Sequence, residues 1–226
     1  MRPPRVLIVD DDRSFRTALF RYSNEAGLEC QSAADGGEAL RLCRQNSPDA
    51  MILDLILPGG VNGFDVLWEL RSDPRTAGIR VLLITGAARA EILKSAGKGY
   101  GVSAFFPKPC DFADIVSAVH GSLAEKIPTD PDLIACGPLL IDLKRREAFA
   151  RGVPLKLGPI RFDVLRHLAQ SKDGLTEEML KAYVWSGQAV SASIVAVTVN
   201  RLRADLERAC GQQMIGNIPG GYKLLY

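Results

Sequence analysis

The chain has 226 residues, of which 47% are hydrophobic and 24% charged, and its formal net charge is +2. This composition is typical of globular proteins and excludes a disordered or fibrous chain, and the length suits two modest domains better than one. No signal peptide is visible and no apolar run approaches the roughly 20 residues that a membrane-spanning helix needs, so we expect a cytoplasmic protein with no membrane partner.

Residues 5–124 alternate short apolar strands with amphipathic helical patterns. Alternating βα units predict a doubly wound parallel sheet, here five-stranded and of the flavodoxin-like α/β type. A helix is expected after each strand, including one at Ala90–Ala96. The predicted strands are Arg5–Val9, Glu29–Ala33, Ala50–Leu53, Val81–Ile84 and Ala104–Phe106.

Four of these strands each lead to polar residues at their C-terminal ends. Asp10 and Asp11 follow the first strand, and Asp54, Thr85 and Lys108 follow the third, fourth and fifth. Ligands of parallel α/β sheets bind at this edge. The sequence therefore predicts a site for Mg²⁺ and a phosphoryl group.

The predicted nucleophile of this site is Asp54, since a carboxylate can accept a phosphoryl group as an acyl phosphate. The transferred group carries several negative oxygens and needs cationic support. We expect Lys108 to pair with the phosphoryl oxygens and Thr85 to donate its hydroxyl to one of them.

The predicted metal ligands are oxygen atoms, which Mg²⁺ prefers. Asp11 is expected to bind the ion directly, and Asp10 to hold one of its waters. The carboxylate of Asp54 and the backbone carbonyl of Ile56 complete the predicted set.

A proline-containing segment separates two patterns of secondary structure. It predicts a linker at 125–135, between a first domain at 1–124 and a second at 136–226. In the second domain, alternating segments predict a small antiparallel sheet, and three helices followed by a terminal glycine hairpin indicate a winged helix-turn-helix. The predicted helices are Pro159–Gln170, Thr176–Trp185 and Ser191–Ala209.

The last of these helices has a core stripe at Val195, Val199, Leu202 and Leu206. In a helix-turn-helix its opposite face enters the major groove of double-stranded DNA, where Asn200 suits adenine and arginines suit guanine or phosphate. The DNA-binding candidates are Ser193, Ala196, Thr198, Asn200, Arg201, Arg203 and, on the terminal hairpin, Lys223.

Several motifs together resemble one known family. In the first domain they are Val6–Asp12, 54–59, Thr85 and Lys108-Pro109, and in the second they include Gly158–Phe162, Asn200–Arg203 and Gly221–Lys223. The chain resembles the OmpR/PhoB family of two-component response regulators, in which a receiver domain precedes a winged-helix effector.

The resemblance implies that a sensor histidine kinase donates the phosphoryl group, that Mg²⁺ is required, and that the protein controls transcription by binding promoter DNA. It also implies dimerisation on activation, and a switch in which Thr85 and an aromatic residue of the last strand reorient. Phe105 matches that aromatic position and, unlike tyrosine, has no hydroxyl, so only its packing can report the switch.

Departures from the family pattern leave one alternative function open. Ser193 and Thr198 stand where basic residues are common, and Pro219 stands where the hairpin usually carries an arginine. The winged helix could therefore dock a protein, such as RNA polymerase, instead of specific DNA. The receiver face that commonly dimerises lacks most of the family's charges, so we expect an atypical dimer interface.

A stand-alone enzyme is not expected. Apart from the phosphoryl chemistry of Asp54, the sequence shows no second catalytic constellation, and the two histidines, His120 and His167, are isolated from each other. They do not form a catalytic triad.

Overall fold

A computed structural model describes residues 2–86, 99–125, 127, 130–186 and 190–226. The chain divides into two compact units, Met1–Asp130 and Pro131–Tyr226. None of the described helices is both long and apolar enough to cross a lipid bilayer. The helix expected at Ala90–Ala96 lies outside the described residues.

The first unit contains a five-stranded sheet in the order β2-β1-β3-β4-β5. Every neighbouring pair is parallel, so the predicted α/β fold is confirmed. The described helices lie between the strands in sequence or follow the last one. The elements are β1 (Arg5–Val9), α1 (Arg13–Glu25), β2 (Glu29–Ala33), α2 (Gly36–Asn46), β3 (Ala50–Asp54), α3 (Gly63–Ser72), β4 (Arg80–Gly86), β5 (Ala104–Lys108) and α4 (Phe112–Ala124).

The core of this unit forms because alternate residues of each strand point to opposite faces of the sheet. On one face, strand residues such as Ile8 and Ile52 pack with Leu19 of α1 and Ile115 of α4. The strands β1, β3 and β4 are buried along almost their whole length, whereas the two edge strands, β2 and β5, are more exposed. Their C-terminal ends therefore lie in a fixed register, which positions the residues that follow.

The second unit begins with a four-stranded antiparallel sheet in the order β6-β7-β8-β9. Three helices and a second sheet follow, in which β10 and β11 pair with β12. The elements are β6 (Leu133–Cys136), β7 (Leu139–Asp142), β8 (Glu147–Ala150), β9 (Val153–Pro154), α5 (Pro159–Gln170), β10 (Leu175–Thr176), α6 (Glu177–Trp185), α7 (Ala192–Cys210), β11 (Ile215–Ile218) and β12 (Gly221–Leu224).

The three helices and strands of both sheets contribute to the core of the second unit. Phe162 of α5 and Trp185 of α6 are buried there, together with Val195, Val199 and Leu202 of α7. Helices followed by the β11–β12 hairpin give the predicted winged helix-turn-helix arrangement.

Two strands of the second unit differ from the expectation. The strand β6 includes Leu133, Ile134 and Ala135, which the sequence analysis assigned to the 125–135 linker, because these residues pair with β7. The two-residue strand β10 was not expected, and it forms because Leu175 and Thr176 pair with β12.

Candidate functional site

Two buried aspartates lie at neighbouring strand ends in the first unit. Asp10 directly follows β1 and is 1% exposed, and Asp54 ends β3 and is 5% exposed. An oxygen of Asp54 accepts a hydrogen bond from the backbone N–H of Ile56 at 2.9 Å. An oxygen of Asp10 likewise accepts from the N–H of Asp12 at 2.9 Å. Each side chain is thus oriented by the loop that follows it.

The ammonium group of Lys108 joins these two carboxylates. Its Nζ lies 2.7 Å from Asp10 Oδ2 and 2.6 Å from Asp54 Oδ2. Burial lowers the pKa of Lys108, but the hydrogen bonds and the negative charges of the two aspartates together raise the pKa above its ordinary value. Burial also raises the pKa of Asp10, although the hydrogen bond from Lys108 opposes that rise. The site therefore holds a charged lysine between two carboxylates.

Thr85 contributes a hydroxyl that has no protein partner among the described residues. Its side chain is 0% exposed, and Oγ1 makes no hydrogen bond there. In the β4–β5 ladder, Thr85 lies opposite Pro107, which is the residue before Lys108. A buried hydroxyl without a partner costs roughly 1–3 kcal/mol, and a ligand oxygen could offset this cost.

Three carboxylates together form a possible metal site. Oxygen atoms of Asp10, Asp11 and Asp54 all lie within 4.8 Å of one another, with Asp11 exposed and the other two buried. An all-oxygen set of this size suits a hard divalent cation such as Mg²⁺, which keeps several of its own waters. The next residue in the chain, Asp12, has another role, since its side chain accepts hydrogen bonds from Ser14 N and Phe15 N and caps α1.

Two residues that the sequence analysis did not single out also contact the site. The Phe15 ring lies 4.5 Å from Lys108 Nζ in a cation–π arrangement, and Arg16 donates to the carbonyl oxygen of Asp10. Both lie on the first turn of α1, and no strand-end pattern indicates them. Of the other predicted residues, Ile56 has a 59% exposed side chain and contacts Asp54 through its backbone, and Phe105 is half-buried on β5.

Comparison with known proteins agrees with this geometry. Residues 6–120 match the response regulator receiver domain, and residues 152–224 match the C-terminal domain of transcriptional regulatory proteins. The chain is 33% identical to transcriptional regulatory protein PrrA of Mycobacterium tuberculosis over 223 residues, covering 96% of this chain and 94% of PrrA. The chain is a response regulator of the OmpR/PhoB family.

Other relatives of this response regulator support the same assignment. It is 30% identical to the DNA-binding response regulator MtrA of Mycolicibacterium smegmatis over 206 residues, covering 90% of this chain and 88% of MtrA. The crystal structure of a putative response regulator from Chloroflexus aurantiacus matches with a TM-score of 0.51 and 34% identity. That match covers 54% of this chain and 99% of the other.

The DNA-binding candidates of the response regulator fall into two groups on α7. Ser193, Asn200 and Arg201 are exposed, whereas Ala196, Thr198 and Arg203 are partly buried. Lys223 is also partly buried, on β12, where it pairs with Gly216 of β11.

The apolar face of α7 was only partly anticipated. The core stripe lies where it was expected, but Ile194 and Val197, which the sequence analysis did not propose, are 48% and 49% exposed. A signal for them existed, because both are large aliphatic residues outside the stripe.

Proposed function

We propose that this response regulator accepts a phosphoryl group on Asp54 from a sensor histidine kinase and thereby controls promoter binding by its second unit. The observation that carries the proposal is the partly buried ammonium of Lys108, within 2.7 Å of both Asp10 and Asp54. This arrangement places a fixed cation beside the predicted nucleophile. Such preorganised charge is the main way in which phosphoryl transfer is accelerated.

The proposed reaction is a direct displacement at phosphorus. A carboxylate oxygen of Asp54 attacks the phosphorus of a phosphohistidine, an O–P bond forms, and the P–N bond breaks. The electron pair of that bond stays on the ring nitrogen, which takes a proton from water. Lys108 lies where it can neutralise the phosphoryl oxygens as the acyl phosphate forms.

The metal that supports this chemistry is proposed to be Mg²⁺. Asp11, Asp54 and the backbone carbonyl of Ile56 would hold it directly, and Asp10 would hold one of its waters. The bound ion neutralises charge on the transferred group.

We further propose that the switch begins at Thr85. Its buried Oγ1, which has no partner among the described residues, can donate to a phosphoryl oxygen on Asp54. Movement of Thr85 would free or fill space beside Phe105, which pairs with Leu83 of the neighbouring strand. A change of packing at β5 would then report phosphorylation, because packed cores respond in discrete steps.

The proposed output is binding of α7 in the major groove of promoter DNA. The family match of residues 152–224 and the name of the relative MtrA support this output. A protein with this output works where promoter DNA lies, so we propose a cytoplasmic location.

The direct test of the phosphoacceptor is phosphorylation of full-length protein by a small phosphodonor with Mg²⁺, followed by intact mass spectrometry. We expect Asp54→Asn to abolish the added phosphoryl mass. The matched control is Asp35→Asn, because Asp35 caps α2 through Glu38 N and Asn caps as well as Asp. Stoichiometric phosphorylation of Asp54→Asn would show that another residue is the acceptor.

The test of the output is fluorescence anisotropy on a pool of genomic duplex fragments, with and without Mg²⁺ plus beryllium fluoride, a phosphoryl mimic. We expect binding to tighten with the mimic and to select particular fragments. Unselective binding that ignores the mimic would contradict the proposed output.

A second candidate function is docking of a protein, such as RNA polymerase, by the winged helix. The exposed side chains of Ile194 and Val197 favour it, because protein interfaces bury aliphatic groups. Binding of purified RNA polymerase without DNA, weakened by Val197→Asp, would support this candidate. Selective binding to duplex DNA through the same residues would exclude it.

A further inference from the structure

The polar groups in the first turns of α7 are largely engaged within the protein. The hydroxyls of Ser191 and Ser193 hydrogen-bond each other at 2.7 Å. Thr198 Oγ1 donates to the carbonyl of Ile194 at 2.7 Å. These hydroxyls are therefore poorly placed to read base edges without breaking bonds that the folded protein already makes.

Arg203 and Asn200 are engaged as well. Arg203 Nε donates to the carbonyl of Ile215 at 3.1 Å, Nη1 to Asn200 Oδ1 at 2.7 Å, and Nη2 to Asn217 Oδ1 at 2.9 Å. Arg203 thus links α7 to β11 through hydrogen bonds. Bidentate recognition of adenine needs both the oxygen and the amide of an asparagine, and the oxygen of Asn200 already accepts from Arg203.

Two large aliphatic side chains of α7 are exposed beside these polar groups. Ile194 and Val197 are 48% and 49% exposed, and the exposed Arg201 follows four residues later. Residues at three- and four-residue spacing share a helix face, so these three form one surface. It lies on the side of α7 away from the buried Val195 and Val199.

The charges around this surface suit a polyanion. Residues 186–203 contain no acidic residue and two arginines, of which Arg203 is engaged with β11. The next carboxylate along α7, Asp205, is paired with Arg161. A neutral partner protein would not require the absence of acidic residues here, whereas the phosphates of a DNA duplex repel carboxylates at the contact face.

The hairpin adds little to base recognition. The turn between β11 and β12 consists of Pro219 and Gly220, and residues 215–222 contain no lysine or arginine. The nearest cation, Lys223, is partly buried. Contacts to the minor groove, which such a hairpin makes with a long cationic side chain, are therefore not available from this turn.

We propose that this protein recognises DNA by contacting thymine methyl groups in the major groove with Ile194 and Val197. This proposal rests on the proposed function of the second unit, and it names the chemical group on DNA that α7 recognises. The methyl group at C5 is the one apolar group that base pairs present in the major groove, and aliphatic side chains recognise it by contact. Arg201, on the same surface, supplies a guanine or phosphate contact.

The test replaces thymine with uracil, which removes only that methyl group. Full-length protein with Mg²⁺ and beryllium fluoride first selects a duplex from a random pool. Each thymine of the selected duplex is then replaced singly with deoxyuridine, and the dissociation constant is measured by anisotropy. We expect binding to weaken about threefold to fivefold at each contacted thymine, the effect of exposing one buried methyl-sized group.

Two variants assign the contact to its residue. In Val197→Ala, the sensitivity to uracil at one of those positions should disappear, because the valine methyl groups that contact the thymine are gone. Ile194→Ala should act in the same way at a different position. This comparison is a double-mutant cycle between protein and DNA. The control is Val153→Ala, which truncates another valine that is 49% exposed, in β9, and it should keep the full sensitivity to uracil.

The outcomes separate this inference from the proposed function. If no duplex is selected in any state, the proposed DNA output fails, and the methyl contact fails with it before any thymine is replaced. If a duplex is selected but uracil weakens binding at no position, or weakens it equally in wild type, Val197→Ala and Ile194→Ala, the methyl contact is overturned and DNA binding stands.

Discussion

One ammonium group contacts two carboxylates in the receiver site, and the same place suits a divalent cation. Lys108 lies 2.7 Å from Asp10 and 2.6 Å from Asp54, and both aspartates belong to the possible metal site. The lysine therefore repels a bound cation while it stabilises the acids. Its charge should limit metal affinity and support phosphoryl transfer.

Replacement of Lys108 by methionine separates these two effects. In Lys108→Met we expect Mg²⁺ to bind at least about threefold more tightly, because a neighbouring positive charge is lost. Phosphorylation of Asp54 should slow, because a cation that stabilises the transferred group is lost. Isothermal titration calorimetry measures the first effect and phosphodonor kinetics the second. Lys156→Met, which removes an exposed lysine of the second unit, is the control. Weaker Mg²⁺ binding in Lys108→Met would contradict the expected repulsion.

His167 should make the second unit sensitive to acid. Its ring stacks on Tyr183 with centroids 5.1 Å apart, and its Nε2 lies 2.9 Å from Arg166 Nη2. A guanidinium only donates, so the imidazole must accept at Nε2 and be neutral in this contact. Burial lowers the pKa of His167, Arg166 lowers it further, and Asp163 opposes the shift.

The sign of the pH effect follows from this lowered pKa. The unfolded chain, with an ordinary histidine pKa of 6.5, takes up the proton more readily than the folded protein. Stability is therefore complete above pH 6.5 and is lost as the pH falls through the lower pKa of the folded state. Thermal unfolding, followed by Trp185 fluorescence in a Trp68→Phe background, should show this loss. His167→Phe should remove it and His120→Gln should not, and persistence of the loss in His167→Phe would assign it to another group.

Much of the receiver site could be predicted because it depends on strand ends. Asp10, Asp54, Thr85 and Lys108 each follow or end an apolar run, and parallel pairing brings such ends to one edge. Phe15 could not be found in this way, since its contact with Lys108 depends on how α1 packs against the sheet.

At the level of elements, the close approach of α3 to the strand that ends at Asp54 requires a residue without a side chain at position 63. A Cβ on Gly63 would lie 2.6 Å from Leu55 Cα and 2.7 Å from the Asp54 carbonyl oxygen. Gly63 N–H also donates to the carbonyl of Leu55 at 3.2 Å. The first residue of α3 is thus packed directly on the backbone that carries Asp54.

Gly63→Ala should therefore displace the Asp54 loop. We expect a loss of about 1–3 kcal/mol in stability, typical of overpacking, and slower phosphorylation of Asp54. Gly60→Ala is the matched control, because a Cβ there meets nothing within 4 Å. Chemical denaturation and phosphodonor kinetics measure the two effects. Equal behaviour of the two variants would show that the close approach has no consequence for the site.

The elements of the second unit show where sequence patterns fail. The periodicity of α7 predicted its core stripe, but the link from Arg203 to Asn217 crosses 14 residues and depends on the hairpin. The strand β10 is two residues long and exists only through pairing with β12. Such contacts arise from tertiary pairing, so composition and period do not indicate them.

At the scale of the whole molecule, self-association is the step that would link phosphorylation to DNA binding at paired sites. A helix face that carries ion pairs would make this step sensitive to salt. The α4 helix contains one acidic residue, Asp114, and no lysine or arginine. Beside β4, the edge strand β5 presents half-buried Ala104, Phe105 and Phe106.

Association of the activated protein through the face formed by α4 and β5 should therefore depend little on charge. With beryllium fluoride and Mg²⁺, we expect a dimer whose dissociation constant changes less than about fivefold in Asp114→Asn, since an exposed ion pair contributes at most about 1 kcal/mol. Sedimentation equilibrium at low and high salt measures this constant, and Asp173→Asn, an exposed acid of the second unit, is the control. A dimer that dissociates in high salt, and that also dissociates in Asp114→Asn but not in Asp173→Asn, would instead show that ion pairs hold this face. Only charged contacts respond to both changes.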